Sequence, residues 1–169
     1  MTAIALVACR AAAADSGADP SAAAEPGAAI AIAPHGDPPA GWRALPAIGA
    51  AVANAMRSDG AATSIAVDAW GTPAAGCYAV WLALQGAAGD APALADRVLG
   101  GLSELPIGDL VKPTGAAGLL SFAFARPPYR GRLRARLGLG RIAAVACFGN
   151  AREPAACDTS CARVLEDMR

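Results

Sequence analysis

Arg130, Arg132, Arg134 and Arg136 alternate with Gly131, Leu133, Ala135 and Leu137. Side chains on a β-strand point to opposite faces in turn, so this spacing places the four guanidinium groups in one row, about 7 Å apart per step. Each guanidinium carries its donors in a planar fork that matches two oxygens of a carboxylate or phosphate. The row is therefore a candidate anion-binding surface. The same residues also read as the wet face of an antiparallel sheet, where arginine keeps water on the strand and discourages edge-to-edge pairing.

Cys77, Cys147, Cys157 and Cys161 are the second chemical set. An even number of thiols in an oxidising compartment reads as two disulfides, with three connectivities open. Cys157 and Cys161 are four residues apart, and on a helix their Cβ atoms project in parallel, a poor geometry for bonding each other. Each is expected to bond a cysteine held in a strand. Structural zinc takes its ligands from tight cysteine pairs, and only one such pair occurs, so no metal is assigned. The Cys157-x₃-Cys161 spacing also differs from the Cys-x-x-Cys of thiol oxidoreductases.

Catalytic constellations are scarce. His35 is the only histidine and sits between Pro34 and Gly36 in a segment poor in large apolar groups, so no Ser-His-Asp or Cys-His set can be assembled within the domain. Asp68, Glu104, Asp109, Asp158, Glu166 and Asp167 show no spacing that marks an acid/base pair. No catalytic residue and no cofactor is assigned. An enzyme that works with two carboxylates and no histidine is the alternative, and it requires a cleft holding two of them about 5–10 Å apart. Gly138-Leu139-Gly140-Arg141-Ile142-Ala143 spells G-x-G-x-x-A, but strands are expected on both sides, so it reads as a turn and not as a dinucleotide site.

The elements that must position these residues follow from periodicity. Leu45, Ile48, Ala51, Val52 and Met56 fall on one helical face between Trp42 and Met56, and Ser58-Asp59-Gly60 ends that helix. Ser64 to Trp70 and Cys77 to Gln85 read as a β-hairpin turned at Gly71-Thr72-Pro73. Asp90 caps a helix reaching about Glu104, stopped by Pro106, and residues 107–117 read as a loop. Three strands follow, Leu119 to Arg126, Gly131 to Leu137 and Arg141 to Phe148, separated by Pro127-Pro128 and by Gly138 and Gly140. Asp158 is expected to cap a last helix whose inner face is Cys161, Val164, Leu165 and Met168. Trp81 is in phase with Cys77 and Ala83 and belongs to the core, whereas Trp42 and Trp70 sit where either could be exposed.

The result is an α+β domain over residues 42–169, an antiparallel sheet of about five strands with helices in the order α-ββ-α-βββ-α. This order resembles that of the roadblock and longin group, which implies an architecture and, were the chain cytosolic with reduced thiols, a dimerisation or scaffold role. Within the 169 residues 55% are apolar but only 5% aromatic, so the core is built largely from alanine and gains from cross-links. The formal net charge is zero, and residues 42–169 carry an excess of about three positive charges, too few to imply nucleic-acid binding.

The N-terminus supplies an address. Leu6-Val7-Ala8-Cys9 resembles the lipobox of bacterial lipoproteins, in which the chain is cut before the cysteine and the thiol carries acyl groups. The resemblance implies that residues 1–8 are the end of a signal peptide, that Cys9 is lipidated, and that the membrane is a partner through this anchor. Residues 10–41 are Ala, Gly, Pro, Ser and Asp with almost no large apolar group, and such a stretch buries too little surface to offset its ordering entropy. Residues 9–41 are thus expected to be a lipidated cysteine and a disordered tether. Arginine at position 10 resembles outer-membrane sorting, with the domain facing the periplasm or the exterior. The expected role is a non-enzymatic envelope lipoprotein whose domain binds an envelope protein or an anionic lipid or polysaccharide.

Overall fold

A computed structural model of the chain describes residues 38, 40–58, 62–152 and 155–166. Cys9, His35, Asp167 and Met168, and most of the expected tether, lie outside the described residues. The elements are β1 (Arg43–Ala44), α1 (Pro46–Ser58), β2 (Ser64–Thr72), a single 3₁₀ turn (Pro73–Ala75), β3 (Cys77–Gln85), α2 (Ala91–Gly101), β4 (Ile107–Val111), β5 (Ala117–Arg126), β6 (Tyr129–Gly138), β7 (Arg141–Asn150) and α3 (Ala155–Glu166). All strand pairs are antiparallel, in one seven-stranded sheet of order β1-β2-β3-β7-β6-β5-β4.

The mixed α+β class agrees with the sequence, but the strand number does not: seven strands replace the expected five or so. Both additions are edges. Residues 43–44 were expected within the first helix, yet Leu45 precedes Pro46, whose ring pushes its neighbour to extended backbone. Helix α1 therefore begins at Pro46, and the Leu45 N–H donates to the Ala69 carbonyl at 2.7 Å, continuing the ladder of β1 with β2. At the other edge, β4 pairs with β5 where a loop was expected. Its register slips between Gly108 and Val111, and Asp109 sits at a φ of 52°. A bulge of this kind is tolerated at an edge, where one side of the strand has no ladder to keep.

Other boundaries move for local reasons. The hairpin of β2 and β3 turns two residues later than expected, over the 3₁₀ turn, and closes on Gly76 at a φ of 64°. Asp90 does cap α2, its side chain accepting from the Ala93 N–H at 3.0 Å, but the helix ends at Gly101 rather than near Glu104. Two successive glycines at its end weaken the last turn. Helix α3 starts at Ala155, so Asp158 lies inside the first turn and is not its cap.

Helices cover both faces of the sheet. On one, α1 lies along β2 and α2 over β5 and β6, enclosing Met56, Leu84, Leu94, Val98, Leu120, Phe122, Leu133, Leu137 and Ile142. On the other, α3 lies over β7 and β3 and packs Val164 and Leu165 against Trp70, Trp81, Val145 and Cys147, with Trp42 alongside. Trp70 is buried, not exposed. Residues of β3 and β7 alternate strictly between these faces, since Trp81 pairs with Val145 while Leu82 pairs with Ala144.

Two disulfides fasten α3. Cys77 bonds Cys157 and Cys147 bonds Cys161, so each helix cysteine meets a strand cysteine. Cys77 lies opposite Gly149 on β7, and a Cβ at Gly149 would run into the Cys157 sulfur, so glycine there is what admits the bond. A 12-residue helix is marginal alone, and α3 offers only a narrow apolar strip to the sheet. Replacing Cys77 and Cys157 by alanine opens an 80-residue closure and is expected to cost about 4.5 kcal/mol in the chain-entropy account, against about 3 kcal/mol for Cys147 and Cys161, which close 14 residues. Urea unfolding of the two variants measures both losses, and unchanged midpoints would mean that packing alone retains α3.

Candidate anion-binding groove

Helix α3 covers only the β3–β7 half of its face. Beyond it the sheet carries β6, β5 and β4, and the register places Arg130, Arg132, Arg134 and Arg136 all on this side, since they pair with Gly149, Cys147, Val145 and Ala143 of β7. Across β5 their neighbours are Ala125, Ala123, Ser121 and Leu119. The row expected from the alternation is thus present, bounded by α3 on one flank and the β4 edge on the other. Between the flanks runs a groove of about 780 Å³, lined by Arg130 and Arg132, by Ala123 and Ala125, by Gly108, and by Asp158, Ala162 and Leu165 of α3.

The arginines also hold the flanks in place. Arg130 Nη2 donates to Asp158 Oδ2 of α3 at 3.3 Å, and Arg132 Nη2 donates to Asp109 Oδ2 on the β4 bulge at 2.6 Å. Arg134 Nη1 donates to the Leu165 carbonyl in the last turn of α3 at 3.1 Å. None of the four is without a partner. Arg132 reaches β4 because the residue between them on β5 is Ala123, too small to obstruct a guanidinium passing over it. Arg134 places its cation at the negative end of the helix dipole, where carbonyls lack intrahelical donors.

These contacts leave part of each side chain in water. The side chains of Arg130 and Arg132 remain 47% and 56% exposed, and their carboxylate partners are more exposed still. Ion pairs this wet are worth roughly 0–1 kcal/mol each. A guanidinium has five N–H donors, so one used on an aspartate leaves others facing the groove. The arrangement is chemically suited to an anion that bridges two arginines about 7 Å apart. Sequence reasoning missed Asp109 and Asp158 as partners of the row, because the pairing of β4 and the start of α3 decide both positions and neither has a strong local signal.

Among the described residues, no group of three His, Cys, Asp or Glu side chains is placed to hold a metal ion, and no helix is long and apolar enough to cross a membrane. No family model, no curated protein and no solved structure matches this chain.

The arginine contacts differ in burial, and their substitutions should differ in cost. Arg134→Met removes a partly buried, charged hydrogen bond at a helix terminus and is expected to cost about 1–2 kcal/mol. Arg132→Met removes an exposed pair and should cost below about 1 kcal/mol. Amide exchange in the last turn of α3 should accelerate in the first variant alone; faster exchange in both, or the reverse order of stability, would shift the main restraint to the Asp109 pair.

Proposed function

We propose that the chain is an exported lipoprotein of the cell envelope, acylated at Cys9 and sorted to the outer membrane, whose domain binds an anionic envelope component at the arginine-floored groove. The observation that carries this reading is the pair of disulfides tying α3 to the sheet beside that groove. Disulfides form and persist in oxidising compartments, and here they hold one wall of the arginine site. The lipobox-like Leu6-Val7-Ala8-Cys9 supplies a route to such a compartment and an anchor within it.

The ligand follows from the groove's chemistry. Two half-exposed guanidinium groups above a floor of alanine and glycine accept a phosphate or carboxylate without steric competition from neighbouring side chains. A lipid headgroup and an acidic polysaccharide share that chemistry. An anchored domain also meets such groups at high local concentration, because the tether confines it to the membrane surface.

Intact mass of the protein purified from the native membrane fraction tests the address. The expected species begins at Cys9, carries acyl mass, and alkylates at its four remaining cysteines only after reduction. An unacylated chain retaining Met1 with free thiols would replace this reading by the cytosolic scaffold. Binding is tested on the Cys9→Ser chain with vesicles of neutral or anionic phospholipid at low salt. Anionic vesicles should sediment more of it, and Arg130→Gln and Arg132→Gln should each weaken the partition about fivefold. Equal partition of all three proteins would remove the groove from the proposal.

A further inference from the structure

The opposite face of the sheet holds a second cavity, between α1 and the turn that follows α2. Its volume is about 210 Å³, and its walls are Val52, Ala55 and Met56 of α1, Leu102 and Leu105 after α2, and the sheet residues Val80, Leu82, Phe122, Phe124, Leu133, Ala144, Ala146 and Phe148. Arg126, Pro127, Pro128 and Tyr129 complete the lining. We propose that this cavity binds a small hydrophobic carboxylate, its apolar body between α1 and the sheet and its carboxylate on Arg126.

The distribution of aromatic residues is the first support. The chain has three Phe and two Tyr, and all five lie in one cluster at this site. Tyr78 stacks on Phe148 with ring centroids 5.7 Å apart, Tyr129 meets Phe148 edge-on at 5.9 Å, and Phe124 closes on Phe148 at 6.4 Å. Phe124 and Phe148 stand on strands separated by β6, and they meet because Gly131 lies between them in the register. A Cβ at Gly131 would strike the Phe148 side chain. Every Phe and Tyr of the chain gathers here, and the Phe rings and Tyr129 line a space that they do not fill.

An unfilled apolar space is costly, and the cost rises with its volume. Cavities with aliphatic and aromatic walls admit apolar guests, and about 150 Å³ suffices for benzene. The present volume therefore suits one ring with a short chain and is too small for a helix or a peptide strand.

Arg126 supplies the polar end. Phe122, Phe124 and Arg126 alternate along β5, so all three project to the same face, and Arg126 stands at its rim beside Tyr129. It is half-buried, and unlike the arginines of β6 it has no partner among the described residues. A partly desolvated guanidinium at the mouth of an apolar cavity is complementary to an anion whose remaining surface is apolar, and a carboxylate fits its fork with two parallel hydrogen bonds. This site is separate from the groove on the other face and does not depend on lipidation or export.

The probes are 4-phenylbutyrate and its uncharged analogue 4-phenylbutanol, titrated into the full chain and followed by backbone and methyl NMR. The carboxylate should bind saturably and perturb Phe124, Tyr129, Phe148, Ala55 and Ala146, with the alcohol at least about tenfold weaker. Arg126→Gln should reduce the carboxylate to the level of the alcohol. Ala55→Leu, a substitution that the helix tolerates at little cost and that occupies the space, should abolish binding of both probes with little change in melting temperature. Equal affinity for the two probes, or perturbations confined to Arg130 and Arg132, would overturn the proposal.

Discussion

Everything on one face of this sheet depends on how α3 is held. The helix brings Cys157, Cys161, Val164 and Leu165 to the sheet, a narrow apolar strip for the hydrophobic effect to act on. Two covalent bonds to neighbouring strands fasten it as well. Their positions on the helix, four residues apart, set its rotation about its own axis as well as its place on the sheet. With the helix so oriented, Asp158 and the terminal Leu165 carbonyl come within reach of β6, and Arg130 and Arg134 find their partners. The arginines adjust a wall that the disulfides have already placed.

Small residues act on both faces as openings over which long side chains cross. Ala123 lets Arg132 pass over β5 to Asp109 on β4, while Gly131 lets Phe124 and Phe148 meet across β6. Gly149 does the same for the Cys157 sulfur. In the first two cases the small residue on one strand permits a contact between its two neighbouring strands, and at Gly149 it admits the helix cysteine that bonds β3. An alanine- and glycine-rich composition, which weakens a core by burying little area per residue, thus also permits the cross-strand contacts that organise both sites.

The parts of the fold that were legible in the sequence are those governed by short-range periodicity. The alternation of β6 displays its arginines, the apolar runs display β2, β3, β5 and β7, and Asp90 marks the start of α2. The parts that were not legible depend on pairing between distant segments. Strand β4 has only five residues, a glycine and a positive φ, and nothing in it announces a strand until β5 is available to pair with it. Strand β1 has two residues and exists because β2 runs alongside. The partners of the arginine row were hidden for the same reason, since Asp109 and Asp158 reach it only after the edge has formed and the helix has docked. Arg126 carried a local signal that went unread: it continues the alternation of Leu120, Phe122 and Phe124, which places a cation on the apolar face.

That last residue bears on how the two faces differ. On the α3 face, Arg130, Arg132 and Arg134 are matched by carboxylates or a carbonyl from flanking elements, and the two carboxylate pairs are loose and wet. On the α1–α2 face, Arg126 stands at the end of a row of apolar residues on β5, while Asp109, the carboxylate of the neighbouring β4, pairs with Arg132 on the other face. A half-buried guanidinium loses hydration that neither its neighbours nor the apolar walls return. Placing such a group beside an unfilled cavity leaves two unfavourable terms side by side, a desolvated charge and missing dispersion contacts. One amphipathic anion relieves both at once, whereas a neutral ligand relieves only the second and a fully hydrated ion only the first.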